Sequence, residues 1–209
     1  MLSLPKIYPI TDTRLSGLSH VEQVEQLIAG GATIIQLREK IASPKEFYEQ
    51  AVECVRIAHR GNARIIINDR ADIALATKAD GVHLGQDDLP PEKARVLLGE
   101  SAIIGLSTHS FEQATLAANL PIDYIAIGPI FATSTKQDPD PVVGLDGLRS
   151  VKAELGNVPV VAIGGISEAN LRAVFAAGAD SAAMIGAIVS HAQNLSSQMS
   201  HLNSLIIEK

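Results

Sequence analysis

Apolar and polar positions alternate along the chain in a regular way. Short runs rich in Ile, Val and Ala are followed by longer stretches in which apolar residues recur every three to four positions. The runs lie near residues 6–11, 33–38, 63–68, 80–84, 102–106, 122–128, 158–163 and 180–185, and each predicts a strand. The periodic stretches between them open with helix-capping chemistry. Ser19 with Glu22, Ser43 with Pro44 and Glu46, and Ser110 with Gln113 each supply an N-cap oxygen and a partner three residues on. Gly30-Gly31, Gly156 and Gly178 follow as stop signals.

Strict strand–helix alternation requires parallel strands joined by right-handed crossovers, which leaves an open doubly wound sheet or a closed barrel. An open nucleotide-binding sheet would carry G-x-G-x-x-G or G-x-x-x-x-G-K-[ST] after its first strand, and neither follows Thr11-Asp12. Eight units favour closure. At about 26 residues per unit the chain is near the lower size limit for such folds, so the expectation is one eight-stranded parallel (βα)8 TIM barrel spanning residues 1–209 without a second domain.

Composition narrows the possible ligands. With 46% hydrophobic and 19% charged residues the chain reads as globular, and 17 Lys+Arg against 23 Asp+Glu give a net charge of −6. That field repels polyanions, and 3% aromatic residues with no Trp offer no base-stacking surface, so nucleic acid is not an expected partner. A single cysteine, Cys54, with no run of 18 apolar residues and no leader, points to a cytoplasmic protein without a membrane partner. The chain alone leaves open whether it forms a homo-oligomer. Any anionic small molecule must meet locally clustered cations.

In a parallel barrel, chemistry belongs at the carboxyl ends of the strands, and reactive residues cluster there. Period two along the second strand turns Ile35 and Leu37 toward the helices and Gln36, Arg38 and Lys40 toward the barrel mouth. Cations there need neutralising, by an internal carboxylate or by an oxyanion ligand. The ligand is favoured because Arg70 and Lys136 are expected to converge on the same mouth. Asn68, Asp69, Asp87 and Asp88 could each serve as a helix cap. Asp69 and Asp88, however, end neighbouring strands and can face each other as a hard oxygen site suited to Mg²⁺. Cys54 on a helix and His83 within a strand do not suggest zinc.

Ser107 and His109 lack a G-x-S-x-G elbow or an evident orienting acid, so Ser107 reads as a ligand-binding hydroxyl. His109 has the same parity and could reach the mouth, cap or pack. Gly164-Gly165 and Ile185-Gly186 follow the seventh and eighth strands, where such barrels often bind a phosphate monoester through backbone N–H groups. The stretch 129–143, with Thr133, Thr135 and Lys136, is long and irregular and is expected to act as an active-site lid.

Taken in order, Gln36-Leu-Arg-Glu-Lys40, Asn68-Asp-Arg70, His83-Leu-Gly-Gln-Asp-Asp88, Ser107-Thr-His109, Gly128-Pro-Ile-Phe-Ala-Thr-Ser-Thr-Lys136 and Ala162-Ile-Gly-Gly-Ile166 resemble the thiamine phosphate synthase family over almost the whole chain. The resemblance implies a (βα)8 catalytic domain that joins 4-amino-2-methyl-5-hydroxymethylpyrimidine diphosphate to 4-methyl-5-hydroxyethylthiazole phosphate, releasing pyrophosphate with the help of Mg²⁺. It assigns Arg38, Lys40, Asn68 and Lys136 to the pyrophosphate, Asp69 and Asp88 to Mg²⁺, and Gln36 to the pyrimidine. Ser107, Thr133 and Thr135 match polar contacts to the phosphates, and Gly165, Ile185 and Gly186 match the phosphate loops. Arg38, Lys40, Lys136 and Ser107 are the implied catalytic groups. Ala132 departs from the pattern, since many relatives carry proline there. A related thiazole tautomerase resembles the chain in fold and in the histidine matching His109, but lacks the acidic pair. A non-catalytic barrel that binds a phosphorylated ligand would have no need for Asp69, Asp88 and Lys136 together.

Overall fold

Each predicted strand forms, and each continues the pairing of the one before. A computed structural model describes residues 2–133, 140–190 and 192–207. The strands are β1 (Ile7–Thr11), β2 (Ile34–Leu37), β3 (Arg64–Asn68), β4 (Gly81–Leu84), β5 (Ile103–Thr108), β6 (Tyr124–Ile127), β7 (Val160–Ile163) and β8 (Ser181–Met184). They pair in parallel in sequence order, and β8 closes on β1 with Ile7 opposite Ala182. The helices are α1 (Thr13–Ser16), α2 (His20–Ala29), α3 (Pro44–Arg60), α4 (Ala71–Thr77), α5 (Pro91–Leu98), α6 (Phe111–Ala117), α7 (Gly144–Leu155), α8 (Glu168–Ala176), α9 (Gly186–Val189) and α10 (Leu195–Ile207).

Closure buries both faces of the strands, so the two parities have different partners. Ile35, Leu37, Ile65, Ile67, Val82 and Leu84 join the layer packed under the helices, with Leu27, Phe47 and Ala51. Tyr8, Ile10, Ile34, Ile66, Tyr124 and Val161 fill the barrel interior, and Leu2 and Leu4 pack against them from the end where β1 begins. The reading of β2 is thus borne out: Gln36 lies on the inward parity and Ile35 on the outward one.

Capping follows the sequence closely. Ser19 with Glu22 and Ser43 with Glu46 form reciprocal capping boxes, and Pro44 opens α3. Ser110 accepts from the Gln113 N–H at 3.2 Å, while the Gln113 side chain turns to the His109 N–H at 2.7 Å. The one-turn helix α1, capped by Asp12, was not evident in the sequence because it is too short to show a period. Among the described residues, no helix is long and apolar enough to cross a membrane.

The end of the barrel opposite the mouth carries a recurring device. Asp80, Asp123 and Asp180, each just before an even-numbered strand, accept the backbone N–H of Ile65, Ile104 and Val160 on the preceding strand, all at 2.8 Å. Each carboxylate also meets a cation or imidazole: His59, Arg95 and Lys152 in turn. These bonds satisfy buried strand donors far from the strand carboxyl ends, so they serve stability. Asp180→Ala should leave the Val160 N–H without its acceptor and cost about 1–3 kcal/mol. Urea unfolding should register this as a lower midpoint with turnover unchanged, and an unmoved midpoint would dismiss the contribution.

Candidate active site

At the carboxyl end of β2 the two cations are already partnered by the protein. Arg38 Nη1 donates to Asp12 Oδ2 at 2.6 Å, and Lys40 Nζ donates to Asp69 Oδ2 across to β3. For these two cations the structure thus shows the internal-carboxylate alternative. Arg70 does not join them: it forms a bidentate pair with Asp72 on the first turn of α4, which corrects the expectation that it converges on the mouth. Its neighbour along the helix simply reaches it first.

Between the two cations, Glu39 turns away from the mouth. Its Oε1 accepts from the backbone N–H groups of Lys40, Ile41 and Ala42 at 2.7, 2.7 and 3.1 Å. Its Oε2 meets the Thr13 hydroxyl and His20 Nε2, both at 3.2 Å. Burial raises the Glu39 pKa, but those N–H groups and His20 more than offset it and hold the carboxyl below its ordinary value. Burial lowers the His20 pKa, with Glu39 opposing. This cluster fixes the loop that carries Lys40. Period two places Glu39 on the parity of Ile35 and Leu37, so its direction was readable; its partners, brought in from β1 and α2, were not.

The acidic residues are placed as expected for a facing pair. Neither caps a helix: α4 has Arg70 at its N-cap and α5 has Pro90, without side-chain cap bonds. Asp69 sits at φ +62°, a conformation few L residues hold, and its N–H donates to the His83 carbonyl at 2.8 Å. Asn68 Nδ2 donates to Asp69 Oδ1 at 2.7 Å, and the Gly85 N–H donates to Asp88 Oδ2 at 2.6 Å. The Asp88 pKa is raised, chiefly by burial; the charge of Asp69 and a hydrogen bond between the two carboxyls add to the rise, against the Gly85 N–H and Lys40. Two neighbouring carboxyls, with an amide and a lysine beside one of them, form an oxygen-rich site that a hard cation fits.

Ser107 also lies at the rim, but its partner is His83 rather than His109. His83 Nε2 is 2.8 Å from Ser107 Oγ, and His83 Nδ1 is 2.9 Å from the Tyr124 hydroxyl. Tyr124 continues to the Tyr8 hydroxyl at 3.1 Å, which receives Gln36 Nε2 at 3.3 Å. Register explains the contact: His83, Gly105 and Tyr124 stand side by side on β4, β5 and β6. Tyr124 reaches over the glycine to stack on His83, with ring centroids 5.5 Å apart. Burial drives the His83 pKa down to about 4, with Asp69 opposing, and pushes Tyr8 up to about 12. Both ring nitrogens of His83 meet hydroxyls rather than a carboxylate, so this serine–histidine contact is not a hydrolytic triad. His109 instead bonds the Gly128 carbonyl at 2.8 Å and lies 3.5 Å from Asp140.

After β7, Gly164 and Gly165 both have positive φ, 96° and 62°. A Cβ on Gly165 would lie 2.5 Å from the Ala132 carbonyl oxygen and 2.7 Å from Phe131 Cβ, so the glycine is required by the chain's own β6–α7 loop. The backbone N–H of Gly165 has no partner among the described residues. That loop is closed at its base by the Val143 N–H donating to the Pro129 carbonyl at 2.8 Å. Thr133 is described; Thr135 and Lys136 lie outside the described residues, and with them the central part of the expected lid.

Comparisons with known proteins point to one family. A profile of the family described as thiamine monophosphate synthase matches residues 7–188. The chain is 44% identical over 202 residues to the thiamine-phosphate synthase of Chloroflexus aurantiacus, covering 96% of this chain and 92% of that protein. It is 47% identical over 191 residues to that of Koribacter versatilis, covering 88% and 89%. Among solved structures, thiamine phosphate pyrophosphorylase from Pyrococcus furiosus superposes with a TM-score of 0.87 at 38% identity, over 97% of this chain and 96% of that one. With the match running from the first strand to α9, the chain belongs to the thiamine monophosphate synthase family.

Proposed function

We propose that the chain is a thiamine phosphate synthase, a transferase that joins the aminopyrimidine diphosphate to the thiazole phosphate and releases pyrophosphate. The observation that carries the reading is the rim itself, where Asp69 and Asp88 face each other on adjacent strand ends with Lys40 paired to one of them and Arg38 alongside on β2. A tautomerase or a barrel that merely binds a phosphate has no use for that combination.

In this reading Arg38, Lys40, Asn68 and Lys136 hold the diphosphate, and Gln36 contacts the pyrimidine. Ser107, Thr133 and Thr135 add hydroxyls to the phosphates, and backbone around Gly165, Ile185 and Gly186 takes the thiazole phosphate. Asp69 and Asp88 would hold Mg²⁺, because two neighbouring oxygen-only side chains whose like charges oppose each other are relieved of that repulsion by a divalent cation. Bound there, the ion supplies positive charge against the diphosphate oxygens.

The protein's own groups then have defined tasks. Lys40 exchanges its partner from Asp69 to a phosphate oxygen, and Arg38, steered by Asp12, presents its remaining N–H groups to the same anion. The C–O bond breaks with its electron pair leaving on pyrophosphate, and the thiazole nitrogen lone pair forms the new C–N bond at the methylene carbon. The attacking nitrogen carries no proton, so no general base is needed. None is offered by His83, whose two ring nitrogens already meet Ser107 and Tyr124.

The direct test is to incubate the purified protein with both phosphorylated substrates, with and without Mg²⁺, and to measure thiamine phosphate and pyrophosphate. Absence of both products under Mg²⁺ would overturn the reading.

Asp69→Asn and Asp88→Asn should each lower turnover by roughly 10²–10³-fold, the scale of one lost preorganised charge at a reacting centre, with the fold intact by circular dichroism. Wild-type turnover and Mg²⁺ response in both variants would remove them from the site.

Asp88 also sets a pH dependence. Because its pKa is raised, it stays protonated to a higher pH than an ordinary carboxyl, and protons compete with the metal there. The Mg²⁺ concentration for half-maximal activity should therefore rise as pH falls through that raised value. In Asp69→Asn, which removes the like charge, the rise should begin at lower pH; identical profiles would show that the two carboxyls do not interact.

A further inference from the structure

The buried polar chain that crosses the barrel interior has a direction. It runs from Gln36 through Tyr8, Tyr124 and His83 to Ser107, and the first four are at most 5% exposed. An amide nitrogen can only donate, so at 3.3 Å from Gln36 Nε2 the Tyr8 oxygen is an acceptor. Tyr8 has one proton left to give. Its other hydrogen-bond partner among the described residues is the Tyr124 hydroxyl at 3.1 Å, so Tyr124 accepts it. Tyr124 in turn has one proton and one remaining partner, His83 Nδ1 at 2.9 Å. That nitrogen must be bare, the ring proton must sit on Nε2, and Nε2–H donates to Ser107 Oγ at 2.8 Å. A hydroxyl that accepts from His83 keeps its own proton for a group on its other side.

We propose that His83 is a positioning residue that makes the Ser107 hydroxyl a hydrogen-bond donor toward the barrel mouth, through a one-way hydrogen-bond chain whose direction is set by the Gln36 amide. Gly105 is a second, independent sign that the fold is built around this contact. A Cβ there would lie 2.1 Å from Tyr124 Cζ and 2.6 Å from His83 Nδ1, so any side chain would separate the two rings. The chemical consequence is specific. A serine nucleophile needs a histidine nitrogen that takes its proton, whereas this serine faces an N–H and keeps its own proton to donate to an acceptor, such as an oxygen gathering negative charge or a ring nitrogen of the substrate. The inference rests on the proposed reading only in taking Ser107 to face substrate. The direction of the chain is a property of the protein alone.

The test is the ¹⁵N spectrum of histidine-labelled protein without substrates at neutral pH, with His83 assigned through its backbone. Expected is the neutral tautomer with the proton on Nε2 and a bare Nδ1. A proton on Nδ1, or on both nitrogens, would overturn the proposal. Gln36→Glu supplies a second arm: a carboxylate accepts from Tyr8 instead of donating, so every bond should reverse and the proton should move to Nδ1. An unchanged tautomer in a folded Gln36→Glu protein would refute control by residue 36. Tyr124→Phe should free Nδ1, mix the tautomers and lower kcat roughly tenfold, about one hydrogen bond, with KM for thiazole phosphate unchanged. A single Nε2–H tautomer with wild-type kcat in that variant would also count against the proposal. A protein that makes no thiamine phosphate yet has the expected tautomer upholds the chain and overturns the synthase reading alone. Activity with the reversed tautomer does the opposite.

Discussion

Everything at the rim depends on closure of the eight-stranded sheet. Pairing β8 with β1 gives each strand an inner and an outer face, both buried, and brings all eight carboxyl ends to one circle. Residues scattered over the sequence, such as Asp12, Lys40, Asp69 and Asp88, meet only because of that circle. The amino-terminal ends are free for a different purpose, and Asp80, Asp123 and Asp180 use them to satisfy strand N–H groups.

The rim is charged yet internally balanced. Arg38 and Lys40 each have a carboxylate of the protein against them, and Asp88 neighbours Asp69 beside Lys40. Such an arrangement avoids isolated charges at a partly buried position, whose desolvation is costly. It also leaves the partners exchangeable, because a diphosphate with a divalent cation presents the same two signs of charge to the same groups. Glu39, buried among three backbone N–H groups and His20, holds this loop in place without entering the exchange.

Below the rim, the barrel interior is not purely apolar. Tyr8, Tyr124, His83 and Gln36 put four polar groups among Ile10, Ile34, Ile66 and Val161, and each finds a partner across the barrel. A satisfied network of this kind costs little and restricts the side chains to one arrangement, whereas the loss of one member strands the next. The missing side chain of Gly105 is part of the same arrangement.

Local rules account for what the sequence determined by itself. Strand positions, three helix caps, the parity of Gln36, Arg38 and Lys40, and the facing of Asp69 and Asp88 follow from period two, capping chemistry and strand adjacency, each of which spans a few residues or neighbouring units. Partner choice does not. That Arg38 pairs with Asp12, that Arg70 turns back to Asp72, and that Ser107 meets His83 and not His109 are outcomes of register and of distances across the closed barrel. In the sequence, Tyr8 and Tyr124 are 116 positions apart and look like two ordinary core aromatics. Only closure brings their hydroxyls within 3.1 Å, because a hydrogen bond is decided by the last ångström of approach, which no periodicity encodes.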